Sequence, residues 1–555
     1  MRTATGPHGA VTGHDDARPA RPTEASGRTQ ATGPTGGPVV AAAAMLTHRP
    51  LSEHLAHVTG SGPALALVAP ATGETVGQVL ASTGADVDRA AAAARAAQPA
   101  WAARGVRERA RVLAAVHDAV LRRRDELTDL VQLVTGKSRG DAFLEVVGVV
   151  QVSRFHAVRG PALLRPERRG GFVPVLTEAL VSRAPVGLVA NVAAWNYPLV
   201  FVLGDALPAL LAGNAVMTKP ALRSVPLAGL VADLLREAGL PDGLFCVLAG
   251  DSAQLGEAVV DAADHVLFTG SEAVGRQVAA RAGSRLVACT LELGGKNAMY
   301  VAADADVARA AAAAVRDCFG GAGQTCTSSE RLYVHVDVAD RFRTELLARL
   351  SRLRLGWTRD GSVDMGSLVS AEHLAAVMAH VQDATDQGAR VLAGGRARPD
   401  LGPAFMEPTV LTDVPAGARC RTEETFGPLV VLTQVHSDEE ALAAMNDTAT
   451  GLMASIWSRD VRRAQRLAAR VRTGTVVVNE VHLLAWGSVA APVGGTGTSG
   501  YGRRYGREGL HEVTRAHVVL TQRGPVTSWL LDRSPTTRTR ALTLTARILH
   551  RSGRP

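Results

Sequence analysis

From position 186 onward, short and wholly apolar runs alternate with longer stretches whose apolar residues recur every three or four positions. The runs are "VGLVANVA", "NAVMTKP", "LFCVLAG" and "HVLFTGS"; between them lie "PLVFVLGDALPALLAG", "PLAGLVADLLREAG" and "AQLGEAVVDA". Runs without polar alternation predict strands buried on both faces, and the intervening periodicity predicts helices that cover them. The expected fold class is α/β, an open parallel sheet that takes ligands at the carboxyl ends of its strands. After "TLELGGKNAMYV" the alternation resumes as far as "PVGGTGTSGYG", which predicts a second α/β unit. No internal repeat of fixed period is found.

Upstream, "PATGET" is a turn between alternating runs in "ALALVAPATGETVGQVLAST", so ordered structure is expected from near Leu51. A helical region follows, expected to break at Pro99 and at "TGKSRG". The first 46 residues, rich in Gly, Pro, Thr and Ala, are expected to be disordered. Two strand-like pieces stand apart from both α/β units, "FVPVLTEALVSRAP" (172–185) and "EVTRAHVVLTQR" (512–523). Paired as a small projecting sheet, they would expose an edge suited to subunit contact.

Composition narrows the function classes. With 555 residues and 46% hydrophobic content, the chain can fill two or more cores. The five cysteines (246, 289, 318, 326, 420) are odd in number and contain no CxxC pair. Neither a disulfide framework nor a metal site is expected, and a reducing cytoplasm is the simplest home. The net charge is +8, but residues 524–555 hold six arginines against Asp532, a net of +5 in the tail. The body is nearly balanced, so no nucleic-acid partner is expected. "RTRALTLTARILHR" could touch an anionic membrane or polyanion, or it could be solvated or packed on another subunit. Nowhere are there 18 consecutive apolar residues, and "VVAAAAML" is too far in and too weakly apolar for a secretory core. No membrane span and no export signal are expected.

Candidate chemistry begins at "GGAGQTCTSSERLYV", where Cys326 lies among small and polar residues just before a β-rich run. Cys289, in "RLVACTLEL", has the apolar neighbours of a structural cysteine. Glycines at 320, 321 and 323 let backbone approach a ligand, which suits a partly exposed nucleophile; a loop cysteine without a role is the local alternative. Polar residues also interrupt apolar or glycine-rich surroundings in "VAAWNYPL", "TLELGGK" and "TEETFGP".

In this order, with Glu292 and Cys326 separated by 34 residues, the four stretches resemble the aldehyde dehydrogenase superfamily from about 55 to 522. The resemblance is greatest to the branch of NADP-type succinate-semialdehyde dehydrogenases. It implies an aldehyde dehydrogenase-like fold of two open α/β domains, one Rossmann-like, with a small oligomerisation β-element. The implied domains are 47–166 with 186–294 for the cofactor, 295–500 for catalysis, and 167–185 with 511–523 for oligomerisation. A disordered tail (1–46) and a basic tail (524–555) flank them.

The same resemblance implies roles. Cys326 is the nucleophile that forms a thiohemiacetal and then a thioester, since hydride leaves only from a tetrahedral carbon. Asn196, with the Cys326 backbone N–H, holds the oxyanion; a turn residue before Pro198 is the alternative. Glu292, in an apolar run that raises its pKa, is the general base, against a buried structural glutamate. For the cofactor, Gly270, Ser271 and Gly275 place a helix N-terminus near the pyrophosphate. Lys219 reaches the adenosine ribose, Trp195 and Leu293 line the groove, and Glu424 and Phe426 fix the nicotinamide end.

Three departures stand out. Leu222 replaces the glutamate that many NAD users carry three residues after the lysine, and Arg223 follows it, so NADP is favoured over NAD. Gly320 stands where an arginine often anchors the succinate-semialdehyde carboxylate. Val493 replaces an aromatic; Phe201, Trp486 and Val493 are expected to line the substrate funnel or, alternatively, to be ordinary core. The expected partner is a small-molecule aldehyde, and the expected assembly a homodimer or homotetramer. An acylating enzyme that passes the acyl group to a thiol, or a non-catalytic binding protein on the same fold, are the competing readings; Glu292 speaks against the first, and the intact trio against the second.

Overall fold

In the computed structural model, which describes residues 35–171, 176–523, 528 and 532–552, the alternating runs form two seven-stranded sheets. The first has the order Val58–Thr59, Phe245–Leu248, Ala215–Pro220, Leu188–Ala193, His265–Thr269, Ala288–Glu292, Gly500–Tyr501. All neighbours are parallel except the last pair. Strand order reverses at Leu188–Ala193, where open α/β sheets form their binding crevice. Helix Val225–Glu237 covers this sheet, and its Leu227, Leu230, Val231 and Leu234 are fully buried. Each such side chain contributes roughly 1.5–3 kcal/mol relative to exposure.

Through residues 293–296 the chain crosses into the second sheet. Its order is Arg390–Ala393, Thr409–Thr412, Leu429–Val435, Ser329–His335, Asn297–Val301, Met453–Trp457, Thr475–Val478, parallel except for the first pair. The carboxyl end of Ala288–Glu292 and the amino end of Asn297–Val301 therefore lie four residues apart, between the sheets.

A third sheet joins Glu167–Gly170, Thr177–Pro185 and Thr514–Gln522, with an antiparallel register running from Thr514 opposite Pro185 to Gln522 opposite Thr177. Thr514–Gln522 is an edge strand, exposed from Arg515 to Gln522, and Leu520 is 76% exposed. Residues 172–175 of the expected strand piece lie outside the described residues.

Two expectations change. Within the segment expected to be disordered, Thr35–Val39 is a strand parallel to Arg354–Trp357, and Ala42–Met45 is a short 3-10 helix. The Glu74 carboxylate accepts the Ala42 N–H (2.7 Å) and Met45 is fully buried, so distant partners order a stretch whose composition is that of a coil; residues 1–34 lie outside the described residues. Pro99 does not break its helix, which runs from Gly84 to Ala103. Gln98 and Trp101 donate to the carbonyls of Gly213 and Leu210 (both 2.8 Å) and pin the helix on either side of the proline. Much of the basic tail is helical, Pro535–Ser552. Among the described residues no helix is long and apolar enough to cross a membrane.

Candidate active site

Four strands of the first sheet end in the predicted site residues. Leu188–Ala193 leads to Trp195 and Asn196, Ala215–Pro220 holds Lys219, His265–Thr269 precedes Gly270 and Ser271, and Ala288–Glu292 ends in Glu292. The second sheet brings the Cys326 loop and the 424–426 segment to the starts of its strands. The crevice thus collects residues far apart in sequence.

The loop before Cys326 has an unusual backbone: Gly321, Ala322 and Gly323 have φ of +58°, +56° and +70°. A left-handed run that includes a non-glycine persists only where surrounding bonds over-determine it. They do so here. The Asp141 carboxylate accepts the Gly321 N–H (2.9 Å), the Asn196 amide donates to the Gln324 carbonyl (3.0 Å), and the Tyr197 and Thr325 hydroxyls share a hydrogen bond (2.9 Å). From the other sheet Asn297 Nδ2 donates to the Cys326 carbonyl (2.7 Å), while Gln324 Oε1 accepts the Val369 N–H (2.8 Å). Cys326 itself is half-buried and free. Burial pushes its thiol up to about 12; Glu292 and Glu424 push the same way and Arg504 opposes them. Cys289, by contrast, faces the Tyr501 hydroxyl at 2.9 Å within the first sheet.

Glu292 is buried, and its Oε1 has no hydrogen-bond partner. Burial raises its carboxyl to about 7; Arg504 opposes the shift and Asp205 adds to it. Those last two residues form a bidentate ion pair (2.9 and 2.8 Å), Arg504 also donates to Thr269, and its guanidinium lies 4.8 Å from the Phe201 ring centre. Neither Asp205 nor Arg504 is suggested by periodicity or motif. The only local signal is two successive arginines in the glycine-rich "YGRRYG". Phe201 is buried, Trp486 meets Tyr197 edge-on at 4.5 Å, and Val493 bonds by its backbone to Arg504 (2.9 and 2.7 Å).

On the dinucleotide side, helix Glu272–Ser284 begins at Ser271, whose hydroxyl accepts the Val274 N–H. The first-turn N–H groups of any helix lack intrahelical partners and favour an anion. A Cβ on Gly275 would stand 2.5 Å from Leu293, so this helix passes close over the end of strand Ala288–Glu292 only because 275 is glycine. Lys219 is buried, and desolvation lowers its ammonium to about 8, with Asp251 opposing. Glu424 accepts the Gly295 N–H (2.8 Å); burial raises it to about 8, helped by Glu330. Phe426 holds φ +53° and meets the Trp195 ring edge-on at 5.6 Å. Leu222 opens a short 3-10 helix, Leu222–Ser224. Arg223 donates to the Val369 carbonyl, across to the segment that supports Gln324, so its guanidinium is already engaged.

Positive helix end, buried ammonium, carboxylate and paired rings fit a dinucleotide that carries phosphates, riboses and a flat ring. The family model described as the aldehyde dehydrogenase family matches residues 57–519. The chain belongs to this family. A relative from Mycobacterium ulcerans (strain Agy99), which carries the provisional name succinate-semialdehyde dehydrogenase 2 of the NADP type, is 45% identical over 452 residues, 81% of this chain and 87% of the relative. The crystal structure of a provisionally named aldehyde dehydrogenase from Burkholderia cenocepacia matches with TM-score 0.79 and 35% identity, covering 83% of this chain and 94% of that one. Betaine aldehyde dehydrogenase from Staphylococcus aureus, solved with NAD+, matches with TM-score 0.80 and 29% identity, covering 87% and 97%. As a member of the aldehyde dehydrogenase family, the chain is an NAD(P)-dependent aldehyde oxidoreductase.

Proposed function

We propose that this aldehyde dehydrogenase oxidises its substrate to a carboxylic acid through a covalent adduct on Cys326, with Glu292 as the base that releases the acid. The observation that carries this reading is the buried, unpartnered Oε1 of Glu292, with a carboxyl near neutrality, in the same crevice as a half-buried cysteine. A thiol held near 12 is protonated at rest. Its proton passes to Glu292 as sulfur adds to the carbonyl carbon, and the carbonyl oxygen takes the negative charge. The Asn196 amide has two hydrogens; one is spent on Gln324, and the second, with the Cys326 backbone N–H, serves the oxyanion. A nicotinamide held in this groove would supply the redox chemistry as the hydride acceptor, a capacity no side chain of the protein has. Glu292 gives the thiol's proton to solvent and then takes one from water, the hydroxide attacks the thioester, and Cys326 leaves as the thiolate and recovers a proton from Glu292.

Lys219 and Glu424 are assigned to the two riboses, Gly270, Ser271 and Gly275 to the pyrophosphate, and Trp195, Leu293 and Phe426 to the walls of the groove. NADP is favoured because Leu222 offers the adenosine ribose no acceptor. The relatives' name supports succinate semialdehyde as the substrate. The exposed strand Thr514–Gln522 supports a homodimer or homotetramer, and the free cysteines support a cytoplasmic home.

Rapid mixing with aldehyde and NADP tests the mechanism. Cys326→Ser should abolish oxidation. Glu292→Gln should slow both the first release of reduced cofactor and the later release of acid by ~10²–10⁴, because the amide takes neither the thiol's proton nor water's. A linear course at the wild-type rate in the glutamine variant would move the base elsewhere.

A further inference from the structure

A cavity of about 770 Å³ opens beside the nucleophile loop. Tyr197, bonded through its hydroxyl to Thr325, and Gly320, where the loop begins, both line it. Phe143, Leu144 and Leu483 give it apolar walls. Two arginines face it, and their circumstances differ. Arg139 is committed inward to Asp129 and also donates to Gln132 Oε1 (3.2 Å). Arg316, one helical turn before Gly320 on helix Val307–Phe319, has one ion-pair partner among the described residues, Glu480, at 3.2 Å. Both members of that pair are open to solvent, with side chains 51% and 35% exposed. An exposed pair of this kind contributes little, so exchanging its carboxylate for another costs little. His482, which also lines the cavity, is already paired with Asp317 at 2.6 Å. The acidic lining residues have their own donors: Asp364 is held by Arg354, Asp141 by the Gly321 N–H and Ser138, and Asp125 lies 3.6 Å from Arg124.

We propose that Arg316 anchors a carboxylate at the far end of the aldehyde substrate, displacing Glu480 when the substrate binds. Gly320 adds no side chain to the cavity wall that it shares with Tyr197 and Arg316. The preferred substrate class is then an ω-carboxy aldehyde with an apolar spacer, and the spacer's length is set by the distance from Arg316 to Cys326. This inference rests on the proposed oxidation at Cys326 and specifies what that site accepts.

Succinic, glutaric and adipic semialdehydes, each paired with the uncharged aldehyde of equal chain length, separate charge from size. In Arg316→Gln the KM ratio of charged to uncharged aldehyde should rise about ten- to hundredfold at the best chain length. Arg316→Lys should restore part of it, and Glu480→Gln should lower it by freeing the arginine. An unchanged ratio in Arg316→Gln, or a ratio unmoved because both aldehydes suffer alike, overturns the proposal. Calorimetric binding of succinate, glutarate and adipate reads the same anchor without turnover. Weaker binding in Arg316→Gln supports it and equal binding overturns it, even in a preparation that oxidises nothing, an outcome that would instead refute the mechanism at Cys326.

Discussion

Glu330 and Glu292 are almost equally removed from water, 4% and 6% exposed, yet the regions around them are built in opposite ways. Glu330 accepts the backbone N–H groups of Thr425 (2.9 Å) and Phe426 (2.8 Å) and the ammonium of Lys296. Its acceptor capacity is spent on holding the 424–426 segment against the second sheet. Glu292 keeps one oxygen without any partner, beside an arginine already engaged by Asp205. Burial alone therefore does not mark a catalytic carboxylate; unspent hydrogen-bonding capacity in a crevice does. Glu424 stands between the two, with one oxygen on the Gly295 N–H and a carboxyl raised to about 8.

The largest expected effect comes from the satisfied member. Glu330→Gln leaves the Lys296 ammonium buried without its counter-charge, a loss of about 3–5 kcal/mol, and adding Lys296→Met should recover part of it. Urea denaturation measures both. A single-variant loss under about 1 kcal/mol would erase the distinction between the two glutamates.

Glu292→Gln should act in the opposite direction on stability. The carboxyl is raised from its ordinary 4.5 to about 7 in the folded protein. As pH climbs through that window, the unfolded chain has released a proton that the native state still holds, so stability falls. The fall is complete above pH 7 and amounts to about 3 kcal/mol at 1.36 kcal/mol per pH unit. Glutamine carries no such penalty. The variant should match the wild type near pH 4.5 and exceed it by about 1–3 kcal/mol at pH 8. Equal stability at both values would mean that Glu292 is paid for by partners, as Glu330 is.

The smallest effect comes from adding a carboxylate where none exists. In Leu222→Glu the new group has the ribose 2′-hydroxyl of NAD as its partner and a 2′-phosphate as its opponent. The ratio of kcat/KM for NADP to that for NAD should fall about tenfold or more. Arg223→Ala should leave the ratio within about twofold, because that guanidinium is already spent on the Val369 carbonyl. A ratio that moves in Arg223→Ala and not in Leu222→Glu would exchange the roles of the two residues.

Much of this could be read along the chain. The apolar runs at 188–193, 215–220 and 265–269 became parallel strands because a strand buried on both faces tolerates no polar alternation, a constraint each segment carries by itself. The family followed from four short motifs in order. Pro99 was misread because a local rule met anchors supplied from elsewhere, the carbonyls of Leu210 and Gly213.

By itself, then, the sequence determined the α/β alternation and the family, both of them properties of neighbouring residues or of fixed spacings. Tertiary structure alone decided the rest. It set Arg504 on Asp205, 299 residues away, beside Glu292, turned Arg223 onto Val369, and left Arg316 on an exposed partner at the cavity rim. It also separated Glu330, with its donors spent on it, from Glu292, with an oxygen to spare. The physical reason is common to all of them. What a buried charge can do depends on the donors and acceptors that packing brings around it, and those come from strands and loops whose separation along the chain says nothing of their distance in space.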